Sequence, residues 1–500
     1  MNLLWRRALQ RALLMLMILS IITPASAQNP NITGRPLAAP TKGTEWVDFR
    51  QDGQPVTAPV ATVISGVNAA AGVTPSRSYL RHVANNVFQN TAISTTLRQV
   101  MIKTSHVARG DITAIALLEA NFYINNPAFA ETGSGSPLTV HASIEYPKNT
   151  FTELKWSGNA NGTVADGLIG QSDFLTIAIP DGAVFGVRRL ITSTTGIMFK
   201  GAYFAAQNTF GEGAVGSTTT TPDLVMGGTI DDSTPSPSIS HPYGLVGFTK
   251  KPVVQAVGDS IAAGAQDSVR TASGDYGFIA QALGAANIPF INTGVASDQA
   301  QNYVKSHIGR AAASRYATDI IIQYGVNDFN AGRTAAQLAT DISTIASYFY
   351  DRRVWLTTIT PRATSTDTFA TLANQTTHSS NAQRVIYNNM VRNGQIPGVA
   401  GYFEVADQVE SARDSGLWKV NGAAGYFTAD GIHPSTAASL AAATAIQTSR
   451  FTVSVAANDN HGGAQVAALR ALTSVGGGRS WVAANDVCEV KRPLRLPLCG

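Results

Sequence analysis

The hydrophobic rhythm of the chain changes twice. Residues 28–95 are polar, with clusters of Pro, Thr, Gly and Ala, and predict a lead-in with little regular structure. From about 96 to 210, apolar residues fall on alternate positions in short runs. Leu138–Tyr146, Phe174–Ile179 and Val184–Ile191 are the clearest, with Gly, Asn, Asp or Pro between them. Period-two alternation broken by turn residues predicts a β-rich, sandwich-like domain. Phe122, Tyr123, Trp156 and Phe199 lie in this stretch. They are expected between the sheets rather than as sugar-stacking platforms, because aromatic side chains dominate such cores. Residues 211–240 are rich in Gly, Ser, Thr and Pro and predict a linker or long surface connection.

From 250 on, apolar runs at 253–257, 289–293, 319–324, 353–359 and 398–405 alternate with helical patterns, clearest at Ala335–Tyr350 and Ala382–Val391. A last, alanine-rich helix is expected from Ser435 to Arg450. Such alternation predicts a parallel sheet with helices on both faces. Right-handed crossovers then bring the carboxyl ends of all strands to one rim, where open α/β sheets place their ligands.

Three of these strand ends carry candidate chemistry. The first runs into Gly258-Asp259-Ser260, which puts Ser260 at a strand end and a helix start. The second ends in Ile291-Asn292-Thr293-Gly294, and the third in Gly325-Val326-Asn327-Asp328. Serine needs a base, and the base needs an orienting carboxylate. Asp430-Gly431-Ile432-His433-Pro434 supplies both, just before the last helix. Asp430 can hold one imidazole nitrogen while the other faces Ser260. The Ser260 and Gly294 N–H groups and the Asn327 amide are candidate oxyanion donors. Asp259 and Asp328 are expected to hold their loops through local hydrogen bonds. The competing nucleophile elbow, Gly-x-Ser-x-Gly, is excluded, because Gly258-Asp259-Ser260-Ile261-Ala262 ends in Ala and follows the first strand of its domain.

Residues 250–450 resemble the SGNH, or GDSL, hydrolase family, whose Ser, Gly, Asn and His blocks map onto Ser260, Gly294, Asn327 and His433, with Asp430 as partner of His433. Ile261 stands where the family has Leu, and no second glycine follows closely after Gly294. The resemblance implies a flavodoxin-like three-layer α/β fold and a serine esterase working through an acyl-enzyme, with no metal and no cofactor. It also leaves open lipid or short-chain acyl esters, acyl transfer to sugar hydroxyls, and a non-catalytic surface-binding protein. Segments 362–380 and 408–429 leave the catalytic rim, and Trp418, Tyr426 and Phe427 either line substrate access or pack the loop onto the sheet.

Charged residues make up 14% of the 500, and the net charge is only +4. No Lys/Arg run stands out beyond the N-terminus, which argues against a nucleic-acid partner. Arg6, Arg7 and Arg11 precede an apolar run from Ala12 to Ile22, followed by Ala25-Ser26-Ala27. This predicts a cleaved signal peptide over residues 1–27, hence export to the periplasm or exterior without stable membrane insertion. Only Cys488 and Cys499 are present. In an oxidising compartment they can pair, and they have no nearby histidine with which to bind a metal. The expected organisation is a β-rich domain with its lead-in and linker over 28–247, a hydrolase domain over 248–450, and an extension over 451–500. Location, the β-rich companion and the resemblance to a family with members that act on carbohydrates together favour an esterified polysaccharide as substrate, such as one bearing O-acetyl groups.

Overall fold

The computed structural model describes residues 46–51, 54–59, 78–200, 211–230, 240–268 and 276–452. The expected signal peptide, Cys488 and Cys499 lie outside the described residues. Trp46–Gln51 and Gln54–Pro59 pair as an antiparallel ribbon. They belong to a first compact unit, Met1–Pro75, while everything below belongs to the second, Ser76–Gly500.

The β-rich part is built around two antiparallel sheets, with two-stranded ribbons beside them. One orders Phe151–Leu154, Leu138–Glu145, Val184–Ser193, Gln99–Val107 and Gly213–Ser217. The other orders Ile169–Gln171, Ile112–Ala120, Gly244–Thr249 and Tyr79–His82. Ile102, Val140 and Val187 of the first meet Ile115, Leu117 and Leu245 of the second in one buried core that includes Trp156. Ile112–Ala120 is apolar on both faces for a reason. Its other face, through Ala116, Leu118 and Ala120, shares a core with Phe122 and with Ile291 and Val295 of the α/β part. Phe122 and Trp156 are thus core residues.

Two expectations are corrected here. The supposed lead-in contains strands at Tyr79–His82, Asn85–Val87 and Asn90–Ser94. The supposed linker supplies Gly213–Ser217, an edge strand on Gln99–Val107. Strand pairing uses backbone N–H and C=O groups, so a short run of small or polar residues can join a sheet wherever distant chain offers an edge.

A six-stranded parallel sheet carries the site. Its strands are β1 (Asn85–Val87), β2 (Val254–Gly258), β3 (Phe290–Asn292), β4 (Asp319–Gln323), β5 (Arg353–Thr357) and β6 (Gly401–Phe403). They lie in the order β6-β5-β4-β2-β3-β1, all parallel. The outermost strand β1 therefore comes from the β-rich part of the chain. Besides the single turns Ile308–Ala311 and Ala406–Val409, the helices among the described residues are α1 (Ser260–Ala263), α2 (Phe278–Ala285), α3 (Ala300–Lys305), α4 (Val326–Asn330), α5 (Ala335–Ser347), α6 (Asn381–Arg392) and α7 (Thr436–Ala443).

Successive strand residues point to opposite faces. Val254, Ala256, Ile321 and Trp355 pack with α2 and α7. Val253, Val257, Ile320, Ile322, Val354 and Leu356 pack with α3, α5 and α6. The sheet is buried on both sides, which is why its strands read as near-continuous apolar runs. Helix α5 starts where Thr334 and Gln337 form a reciprocal capping box. The last helix is shorter than the alanine pattern suggests, ending at Ala443, with a separate 3-10 turn at Thr448–Arg450. Among the described residues, no helix is long and apolar enough to cross a membrane.

Gly258 closes β2 where two elements crowd it. A Cβ there would lie 2.2 Å from the Gln323 carbonyl oxygen of β4 and 2.6 Å from the Ala262 methyl of α1. Gly258→Ala should therefore destabilise the domain by about 1–3 kcal/mol through overpacking. Urea unfolding followed by tryptophan fluorescence measures this, and an unchanged midpoint would contradict the crowding.

Candidate active site

The turn after β2 builds the nucleophile position. Asp259 is the N-cap of α1, and its Oδ1 accepts the Ile261 N–H at 2.8 Å. The cap fixes a sharp exit from the strand, so Ser260 opens the helix at the carboxyl rim. The Ser260 N–H belongs to the first turn, where no earlier helical carbonyl can take it.

His433 reaches Ser260 across 173 residues of sequence, with Nε2 2.8 Å from Ser260 Oγ. Its Nδ1 lies 2.6 Å from Asp430 Oδ2. Asp430 Oδ1 accepts the backbone N–H groups of Ile432 (2.8 Å) and His433 (2.9 Å). Burial acts to raise the Asp430 carboxyl, but the His433 ring and these two backbone donors outweigh it and hold it well below the usual carboxylate range. Asp430 is thus ionised and aimed at Nδ1, which leaves Nε2 as the acceptor for the Ser260 hydroxyl. Asp430 does not cap the last helix. Ser435 does, accepting the Ala438 N–H.

The loop bearing Asp430 is clamped from below. Trp418 is fully buried and donates its indole N–H to the Gly431 carbonyl at 3.1 Å. The Gly431 carbonyl also accepts the Ala363 N–H at 3.0 Å. Gly431 sits at φ 78°, and a Cβ there would lie 1.9 Å from the Ala363 carbonyl oxygen. Of the three aromatic residues expected at the access, Trp418 and Phe427 are core residues. Tyr426 is exposed and stacks on Phe427 at 4.7 Å.

The structure separates the two remaining oxyanion candidates. Asn327, in the first turn of α4, donates one Nδ2 proton to the Asp298 carbonyl at 3.1 Å. A primary amide has a second proton to offer. The Gly294 N–H is already donated to Asn292 Oδ1 at 2.9 Å, so the expectation that it serves the oxyanion is corrected. Gly294 is small for a different reason: a Cβ would stand 2.7 Å from the Ala263 nitrogen of α1.

Asn292, at the end of β3, has a role that the sequence pattern does not assign. Its buried amide bridges two site loops, donating to the Ala262 carbonyl (2.7 Å) and accepting from Gly294. A polar amide at the end of an apolar strand was the available signal. Asp298 and Arg310 had no comparable signal. Both are fully buried, and Arg310 Nη1 donates to Asp298 Oδ2 at 2.7 Å. Burial would lower the Arg310 guanidinium, but Asp298, Tyr324 and Glu131 around it outweigh that and hold its proton firmly.

Asp259 holds its own turn through a local bond, as expected, whereas Asp328 ties down a distant loop. Burial raises Asp259 well above the ordinary carboxylate value despite its bond to Ile261. Asp328 Oδ1 accepts the Ala300 N–H at 3.0 Å. Burial foremost, with the Asp298 charge adding, pushes the Asp328 carboxyl up to about 7.

Residues 256–441 match the GDSL-like lipase/acylhydrolase family. The chain thus carries a GDSL-like lipase/acylhydrolase domain over these residues, a domain of the ester-hydrolase class. No curated protein sequence matches the chain. Among solved structures it is similar to a lipase/acylhydrolase from Enterococcus faecalis, at 16% identity, covering 41% of this chain and 100% of that one, with a TM-score of 0.29. It is also similar to a carbohydrate acetylesterase from Sinorhizobium meliloti, at 18% identity, covering 39% and 96%, with a TM-score of 0.27. A salicylyl-acyltransferase from a tetracycline biosynthetic pathway is similar over 69% of this chain and 80% of that one, at 12% identity and a TM-score of 0.26.

The Asp328 shift makes a signed prediction. The folded state favours the protonated acid, while the unfolded state titrates near its ordinary value of about 3.9. This group's contribution to stability is therefore most favourable below that value, and is lost as pH rises through the folded value of about 7. Asp328→Asn removes the titration. The melting temperature of the variant minus that of wild type should be more positive at pH 8 than at pH 4. A difference that does not change with pH would contradict the assignment.

Proposed function

We propose that the domain is an exported serine esterase acting through an acyl-enzyme. Ser260 Oγ attacks the ester carbonyl carbon while His433 Nε2 takes its proton. Asp430 keeps Nδ1 protonated and stabilises the imidazolium that results. The Ser260 N–H and the second Nδ2 proton of Asn327 hold the oxyanion. Collapse breaks the bond to the alkoxy oxygen, which leaves as alcohol with the proton from His433. Water then repeats the sequence on the acyl-enzyme and releases the acid.

The observation that carries this reading is the continuous hydrogen-bonded path from Ser260 Oγ to His433 (2.8 Å) and on to Asp430 (2.6 Å). Its burial gradient suits the task. The serine is nearly buried, at 6% exposure, while the Asp430 side chain is 34% exposed, so the reacting group is the sheltered end. The substrate we infer is an O-acylated, principally acetylated, polysaccharide. The charged-then-apolar N-terminal run and the β-rich companion support this choice.

Ser260→Ala should lower kcat by about 10⁴–10⁶-fold, and Asp430→Asn by about 10⁴-fold, with unchanged far-UV circular dichroism. Release of acetate from acetylated glycans, set beside release of longer acids from acyl esters of increasing chain length, is the assay. Turnover by Ser260→Ala at the wild-type rate would contradict the mechanism. Exclusive turnover of long acyl esters would contradict the substrate class.

A further inference from the structure

The hydrogen-bonded path uses one side of the rim. Beside it, on the side of Asp430 and Asn327, is a small cleft that the chemistry above leaves without a task. Its walls include Val326, next in sequence to Asn327, together with Thr360, Arg362, His378 and Ser380. Backbone bonds tie it to the reacting groups. The Ala363 N–H goes to the Gly431 carbonyl, and the His378 N–H goes to the Arg362 carbonyl at 3.0 Å.

Three donors in this cleft lack acceptors. Arg362 is partly buried, and among the described residues no protein group accepts a hydrogen bond from its guanidinium. The carboxylate that acts on it is Asp430, whose oxygens are already committed to His433 and to two backbone N–H groups. Thr360 is 1% exposed, and its Oγ1 is buried without a hydrogen-bond partner. His378 Nδ1 accepts the Ser380 N–H at 3.3 Å, so its proton is on Nε2, and burial and the Arg362 charge both favour the neutral ring. The N-terminus of the 12-residue helix α6, whose N-cap Ser380 makes no side-chain capping bond, adds the positive end of its dipole.

The unpartnered buried hydroxyl of Thr360 costs stability in the free protein, and the partly exposed guanidinium of Arg362 beside it is open to a ligand. An anion suits a cleft lined by such donors, and guanidinium matches carboxylate in charge and shape. We propose that this cleft binds a carboxylate carried by the substrate near its scissile ester, with Arg362 as the specificity-determining residue. The substrate class is then an ester of an acid-bearing molecule, such as an acylated uronate sugar. The inference rests on the esterase reading above and narrows it.

The test compares two matched esters, 3-acetoxybenzoate and its neutral carboxamide, at pH 7.5 and low salt. Wild type should prefer the carboxylate ester by about 10–100-fold in kcat/KM, the range of a charge-assisted hydrogen-bonded contact, mostly through KM. Added salt should shrink this preference. In Arg362→Gln the ratio of the two kcat/KM values should fall to near one, and Arg362→Lys should restore part of it. Equal rates on both esters in wild type, or a preference that survives in Arg362→Gln, would overturn the anion site while leaving the esterase reading intact. Failure of wild type to turn over either ester would overturn both. The wild-type comparison and its salt dependence decide the matter even if the Arg362 variants fail to fold.

Discussion

Everything at this site depends on one crowded turn at the end of β2. Gly258 lets the strand run against β4, Asp259 caps the helix that follows, and Ser260 is left at the rim with its hydroxyl toward His433. The parallel sheet then does the long-range work. Because its strands all end on one edge, residues from four distant stretches of sequence converge without any strained crossing. The Ser260 to His433 hydrogen bond is the point where those stretches close on each other.

The β-rich part of the chain takes part in this closure. It lends β1 to the edge of the parallel sheet, and Ile112–Ala120 covers the residues after β3. It also sends in Glu131, whose carboxylate accepts the Gly309 N–H (2.6 Å) and the Arg310 N–H (2.8 Å). Arg310 pairs with Asp298, and the Asp298 carbonyl holds the Asn327 amide. A run of contacts thus leads from a hairpin of the antiparallel part to a candidate oxyanion donor. Removing one partner of a fully buried ion pair costs about 3–5 kcal/mol, because the other charge is left without water or counterion. The run is therefore rigid, which suits a donor that must be in place before charge develops.

Much of the α/β half was legible in the sequence, for a physical reason. Strands buried on both faces must be almost wholly apolar, so 253–257 and 319–324 stand out, and the polar residues at their ends are conspicuous. Ser260 and Asn327 could be picked out for that reason, and Asp430 and His433 because they stand three residues apart just before the last helix. Gly294 was misjudged because a strand-end glycine is equally suited to offering its N–H or to letting a helix come close, and only coordinates tell which. Gly213–Ser217 and Tyr79–His82 were missed because edge and short strands are held by backbone pairing that leaves little mark on side-chain pattern. Arg310, Asp298 and Arg362 were unreadable, since a buried or unmatched charge looks the same in a sequence as one in solvent.

The central claim is that Ser260 is a nucleophile activated by His433. A fluorophosphonate probe tests it directly, because phosphonylation requires an activated serine hydroxyl and needs no knowledge of the substrate. Mass spectrometry of the labelled, digested protein should place a single adduct on Ser260. The His433→Ala protein, folded by circular dichroism, should remain essentially unlabelled. An adduct on another residue, or labelling of Ser260 at the same rate without His433, would contradict the account.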